Sequence, residues 1–342
     1  MKAYSVVRST RRDAWLVAAA ASLLLVSASL PWWGQPIWMY EAVELASYAV
    51  FAMMWNLLAG YGGMVSIGQQ AYFGIGAYVT VALGNLAGVN PFVAIFIGAL
   101  ASGVAALPLS RIAFRLQGGY FAIGTWVLAE VLRLTVANIP AVGGGSGTSL
   151  TALAAFDRST RQNLTFWIAL LGVASAVGLT YLFLRSKQGL ALQAIRDNEG
   201  AARSQGVAVG SMKLAVYLLA AIGAGFAGGL FFVSNLRISP DAAFSVDWSA
   251  YAIFMVMIGG IGSIEGPLLG VIVFWALSKL FSDYGTWYLL GLGLLAIIST
   301  RSMPRGIWGY LQQRWGWSLF PTARRLVLVE PPVGAAIAET AT

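Results

Sequence analysis

QAIRDNEGAARSQGVAVGSMKLAVYLLAAIGAGFAGGLFFV, residues 193–233, changes character halfway. Its first part carries Arg196, Asp197, Glu199 and Arg203 within eight positions, whereas Leu214 to Val233 is a run of twenty residues without one charge. At 1.5 Å per residue a helix of that length spans about 30 Å, the thickness of a bilayer's hydrocarbon core. In lipid every backbone N–H and C=O must be paired within its own element, so the run is a helix. The charged part is also helical in pattern. Leu192, Ile195, Ala202 and Gly206 fall near one face, with the charges mostly on the others. Such a face needs cover, and its residues leave two readings open: a helix lying on the bilayer, or one that docks a soluble subunit.

Apolar runs of this kind recur along the chain. Of its 342 residues 58% are hydrophobic and only 10% are charged, against about a quarter charged in a soluble domain. The expectation is an all-α polytopic membrane protein of about ten transmembrane helices: 15–33, 40–59, 66–87, 91–110, 118–138, 163–184, 212–233, 248–262, 265–283 and 285–300. Segments 60–76 and 258–270 are too rich in glycine for straight helices and predict broken or re-entrant ones. GGMVSIG from Gly62 and GGIGSIE from Gly259 share a pattern, which fits either an internal repeat or chance in a glycine-rich chain. The chain then divides into an N-terminus (1–14), a membrane domain (15–300) with a loop at 185–211, and a tail (301–342). The Trp- and Arg-rich stretch 305–320 suits the membrane interface, and the sequence after Pro321 predicts a mobile end.

The net charge of +8 is placed as membrane flanks, not as a nucleic-acid surface. Sixteen of 21 Lys and Arg fall in four segments: the N-terminus, Arg111 with Arg115, Arg185 to Lys213, and the residues after the last crossing. Positive charge holds such segments in the cytoplasm, so both termini are expected inside. Arg11 and Arg12 before an apolar run faintly resemble an export signal, but a retained first crossing explains them as well.

There is no cysteine and no histidine, which removes disulfides, thiolate metal sites and the commonest proton shuttle. No nucleophile–base or metal constellation stands out, so enzyme chemistry is not expected. The chain lacks G-x-x-x-x-G-K-[ST], so it is not expected to hydrolyse ATP or to carry a cofactor; ATP and Mg would lie on other chains. Within the crossings, Glu130 and Arg133 are three apart on one helical face and can pair. Glu265 can cap a broken helix or face a path. Gly225 with Gly229, and Gly266 with Gly270, allow close helix contact.

The run E-G-A-A-R-S-Q-G, Glu199 to Gly206, resembles the coupling loop of ABC importer permeases. Glu199, Ala201, Ala202 and Gly206 match that loop, Gly200 looks like an insertion, and the downstream Ile and Leu-Pro are missing. GYGGMVSIGQQAYFGIGAYV (60–79), RLQGGYFAIGTWVLAEVLR (115–133), AIRDNEGAARSQGV (194–207) and MIGGIGSIEGPLLG (257–270) together resemble the permease of branched-chain amino acid ABC importers, the LivM-like half, over roughly residues 40–312. VGGGSGTS (142–149) is similar to a glycine-rich outer loop of that family. Gln69 and Gln70 stand where relatives often carry His, and Val142 where Thr is frequent.

The resemblance implies a bacterial inner-membrane subunit with a second, LivH-like permease, two cytoplasmic ATP-binding subunits and a periplasmic solute-binding protein as partners. It implies branched-chain amino acids as cargo, with urea, short amides or other amino acids as variants. Ile195, Arg196, Asp197, Glu199, Ala201, Ala202 and Gly206 become the residues that couple to the ATPase. Gly62, Gly63, Ser66, Gln69, Gln70, Thr125, Gly259, Gly260 and Ser263 become candidates for the translocation pathway. The alternatives are a sugar-type ABC permease or an ion-coupled secondary transporter; the absence of His and of an unpaired deep carboxylate weighs against the latter.

Overall fold

The computed structural model describes residues 3–7, 18, 22, 24–281, 287–303, 305–316, 319–321 and 325–329. Seven residues in the first half of the first expected crossing (15–17, 19–21 and 23), and all of the expected mobile end except 325–329, lie outside these residues.

The first long helix, α1, runs from Pro36 to Asn56 and continues through a π-helical turn, Leu57–Tyr61. Pro36 fits its first turn, where the missing N–H has no helical partner to lose. The chain then doubles back without helical structure over 62–69 and starts α2 (Gln70–Ala87) inside the bundle. Trp55 Nε1 donates to Ser66 O at 2.8 Å, which fixes the returning segment beside α1. Next come α3 (Pro91–Ala113), capped by Asn90, and α4 (Gly119–Ala137). A glycine-rich connection leads to α5 (Arg158–Arg185), capped by Asp157. Hydrogen bonds from the Ser159 hydroxyl and from Thr160 hold the Asp157 carboxyl well below the usual carboxylate range.

Two short helices, α6 (Lys187–Asp197) and α7 (Glu199–Ser204), precede α8 (Val209–Asn235). A second non-helical stretch, with one short turn at Pro240–Ala243, enters α9 (Asp247–Gly259). It begins at Leu236, whose φ of 62° is unusual for a branched side chain. Near its start β3 (Arg237–Ile238) pairs with β2 (Thr148–Ser149) of the VGGGSGTS loop. α10 (Glu265–Leu280), α11 (Trp287–Ser302) and α12 (Gly306–Trp315) complete the helices. Antiparallel β1 (Ala3–Val7) and β4 (Arg325–Val329) bring the two ends of the chain together.

Among the described residues six helices are long and apolar enough to cross a membrane: Pro36–Tyr61, Pro91–Ala113, Gly119–Ala137, Arg158–Arg185, Val209–Asn235 and Pro240–Gly259. That number compares with the ten crossings expected. The expected 66–87 starts late, at Gln70, and those at 265–283 and 285–300 become helices of 16 residues. At 1.5 Å per residue these two reach only about 24 Å.

The core lies where α8 meets α1, α2 and α3. A Cβ on Gly225 would stand 2.2 Å from Ser102 Oγ, and one on Gly76 2.1 Å from Gly225 O. Only glycine permits that approach, and close packing is what holds helices together in lipid. Beside it Phe73 stacks on Trp248 with centroids 4.2 Å apart, flanked by Tyr48 and Phe231.

The two expected breaks differ. Segment 60–76 is a true interruption. Segment 258–270 is a break in the form of a tight turn between antiparallel α9 and α10: a Cβ on Gly259 would lie 1.8 Å from Gly266 O and one on Gly270 1.7 Å from Met255 O, so the backbones pack face to face. The similar G-G-x-x-S-I sequences share a positive φ at their second glycine, 67° at Gly63 and 135° at Gly260, and then part company. The non-helical stretch 236–246 falls in the gap left between the expected crossings 212–233 and 248–262; its short turn at Pro240–Ala243 carried no signal in the sequence.

Candidate functional site: the α6–α7 loop and the joint beneath it

Local capping builds the loop. Ser186 Oγ accepts from the amides of Gln188 and Gly189, starting α6. Asn198 is extended and its Oδ1 accepts from Ala201 N at 2.9 Å, so α7 starts afresh at Glu199. Gly206, with φ 85°, ends α7. Gly200, the insertion in the motif, is exposed in the first turn.

The loop's apolar face is covered by the chain itself. Leu192 is fully buried beside Gly62, and Ile195 and Ala202 pack with Val209. This corrects the expectation that the face awaits a membrane or a partner. An arginine at 202 would break the loop's own packing rather than probe its outer surface. What the loop presents is mixed: Asp197, Glu199 and Arg203 are exposed together with Ala201 and Gly206, and Leu190 of α6 is 61% exposed. Glu199 receives Arg203 Nη2 at 3.2 Å and Lys213 Nζ at 2.5 Å, tying α7 to α8.

Arg196 faces both ways. Outward, Nε and Nη2 donate to Asp197 Oδ1 at 3.1 and 3.0 Å. Inward, Nη1 donates to Gly60 O at 3.1 Å, in the π turn that ends α1, and its stem covers Gly63. Four residues before Gly60, buried Asn56 grips the α9–α10 turn with both ends of its amide: Nδ2 donates to Ser263 O at 2.8 Å, and Oδ1 accepts from Gly262 N at 2.9 Å. A Cβ on Gly60 would stand 2.3 Å from Asn56 Oδ1 and 2.7 Å from Gly262 N. Loop, π turn and turn 260–264 therefore form one joint. Glu265 belongs to it as an anchor: its Oε1 accepts from Leu319 N at 3.0 Å and Phe320 N at 2.8 Å. Trp308 of α12 is buried beside Gly260.

Most residues expected along a pathway are enclosed within this chain. Ser66 Oγ donates to Thr125 Oγ1 at 3.1 Å and accepts from Gly68 N at 3.1 Å. Gln70 accepts a hydrogen bond from Ser249, which links the start of α2 to α9. Gln69 is fully buried, and neither end of its amide makes a hydrogen bond among the described residues. Gly62, Gly259 and Gly260 are buried, Ser263 is half-buried, and Gly63 alone of the set is exposed.

Glu130 and Arg133 do pair: Arg133 Nε donates to both carboxylate oxygens at 3.0 Å and Nη2 to Oε1 at 2.6 Å. Arg133 also bridges to Asp241, from the interruption before α9. Asp241, Ser249 and Asn56 were not singled out from the sequence. Asn56 left a signal, a lone amide inside an apolar crossing. Asp241 and Ser249 left none, because their place depends on how 236–246 turns inward.

A bundle of apolar helices, six of them long and apolar enough to cross a membrane among the described residues, fits a multi-pass membrane permease. The family model described as branched-chain amino acid transport system / permease component matches residues 39–300, and the chain belongs to that family. It is 28% identical over 287 residues to the high-affinity branched-chain amino acid transport system permease protein LivM of Salmonella typhimurium, covering 76% of this chain and 67% of that one. To the probable LivM of Methanocaldococcus jannaschii it is 29% identical over 312 residues, 79% and 86% of the two chains. The probable LivH of the same organism is 25% identical over 260 residues, 70% and 82%. No solved structure matches.

Proposed function

We propose that this chain is one of two membrane-spanning subunits of an importer that moves branched-chain amino acids across a bacterial inner membrane, driven by ATP hydrolysed on two separate cytoplasmic subunits. The observation that carries this reading is the α6–α7 loop. It is folded by its own caps, its apolar face is already filled, and its charged surface is left free for a protein. The names of the LivM relatives support the cargo, and the likeness to a LivH supports a related second permease. A periplasmic binding protein would deliver the amino acid and set its identity. The placement of Lys and Arg supports a cytoplasmic loop and termini. In this reading closure of the ATPase pair pushes on α6–α7, and the spans attached to it rock between two states.

The test is to purify the tagged chain from its own membranes in mild detergent, with a photocrosslinker at Arg203 or Gln205, and to identify bound chains by mass spectrometry. A second permease, and ATPases with a lysine-containing phosphate loop crosslinked through either position, are the expected partners. A chain that emerges alone, with no ATPase crosslinked, overturns the reading.

A further inference from the structure

We infer that Asn56 and Arg196 act together as a transmission joint: Arg196 carries displacement of α6 to the π turn of α1, and Asn56 carries it on to the turn between α9 and α10. The inference deepens the proposed function, on which its transport arm rests.

Three observations meet at this point. A π turn widens the end of α1 at Leu57–Tyr61, a feature that recurs at functional sites because it breaks the regular helical hydrogen-bond ladder. The carbonyl of Gly60 is engaged there by Arg196 from α6. Asn56, one turn back on the same helix, bonds two consecutive residues of another hairpin and leaves neither end of its amide spare. Gly60 fits only because it lacks a side chain: a Cβ would meet Asn56 and Gly262 together. A push on α6 thus reaches α1 and the α9–α10 turn through short, directional contacts with no slack. The same π turn leads straight into the interruption at 62–69, so both ends of the joint adjoin helix ends that can pivot. Packing alone would align these elements, but a buried amide bonded on both sides also fixes their register.

Asn56 and Arg196 are positioning residues here, and the test separates that role from a merely structural one. The first arm uses the isolated chain in detergent and needs no ATPase. Hydrogen exchange is compared between wild type and Arg196→Gln, which keeps an amide in place of the guanidinium. The expected result is exchange at least five-fold faster at residues 60–64 and also at 264–265, beyond Gly262, the residue of that turn that Arg196 Nη1 itself adjoins. Acceleration confined to 60–64 overturns the inference, whatever the chain's partners prove to be.

The second arm uses the assembled transporter in proteoliposomes with Asn56→Asp, which keeps the acceptor for Gly262 N and loses the donor to Ser263 O. The expected result is unchanged recovery of the complex and sustained ATP hydrolysis, with uptake per ATP reduced about ten-fold. Equal losses of recovery, hydrolysis and uptake would mark a structural residue, and unchanged uptake would mark a dispensable one. Either overturns the transmission role. Should the wild-type chain lack ATPases altogether, the proposed function fails by that observation, while the exchange arm still decides whether the joint exists.

Discussion

α8 and α4 both qualify as membrane crossings, yet 72% of the apolar window of α8 is buried inside the chain and only 17% of that of α4. α8 presents Gly225, Gly228 and Gly229 to its neighbours, so the backbones of α2 and α3 close on it. α4 turns Trp126, Val127, Val131 and Leu134 outward and carries Glu130 and Arg133 as well. Lipid explains the apolar side chains on α4 but not the charges, since a charge near the bilayer centre costs about 2.5–3.5 kcal/mol on insertion scales. The Arg133 side chain retains 26% of its exposure and that of Asp241 75%. That part of the surface therefore suits water or another protein better than acyl chains. α8 is the axle of the bundle, and α4 borders its open side.

The severest way to break this contrast is to crowd the axle. Gly225→Val would drive a side chain into Ser102 and against the backbone of α3. Overpacking typically costs 1–3 kcal/mol, and here little can yield, so a loss of about 3 kcal/mol is expected. The yield of monodisperse chain in detergent should collapse. Wild-type yield and melting temperature would show that α8 is not tightly held.

Much of the axle was legible beforehand. Gly225–x3–Gly229 and Gly266–x3–Gly270 signalled close helix contact, and both pairs make it. The apolar runs located five of the six long helices to within five residues at either end, because hydropathy and length are local properties of the chain; the sixth, Pro240–Gly259, starts eight residues before the expected 248. The joint was legible in part. Arg196 was marked by its motif, but its bond to Gly60 spans 136 positions of sequence. Asn56 and Ser263 are 207 apart, so no short-range pattern joins them. The enclosure of Ser66, Gln69 and Gln70 escaped the sequence for a related reason. A polar residue beside a break reads the same whether it faces a pathway or, as with Ser66 and Thr125, a neighbouring helix.

A milder test falls on the charges of α4. Arg133→Leu leaves Glu130 and Asp241 facing each other without their cation; for carboxylates this exposed the cost should be about 1 kcal/mol. The measurement is the amount of inserted, monodisperse protein, expected to fall several-fold. Adding Glu130→Gln to Arg133→Leu should recover part of that loss, because one of the two carboxylates no longer needs neutralising. If the single and double variants behave alike, the trio is not an electrostatic unit and the open side of the bundle tolerates bare charge.

The smallest effect sharpens the comparison most. Val127 and Val131 are about half exposed on α4, so Val127→Ala with Val131→Ala removes little that this chain buries. Exposed positions of this kind usually change stability by no more than about 0.5 kcal/mol, and the melting temperature of the isolated chain should move by only a degree or so. Valine methyl groups that the chain leaves half exposed gain value once another protein covers them, since each buried CH₂ is worth about 0.8 kcal/mol. The same double variant in the complex with the second permease should therefore dissociate at a lower detergent concentration than wild type. A shift in the complex without one in the isolated chain would place the second permease against α4. No shift in either would leave Val127 and Val131 facing lipid, and confine the wet or covered part of this surface to the neighbourhood of Glu130, Arg133 and Asp241.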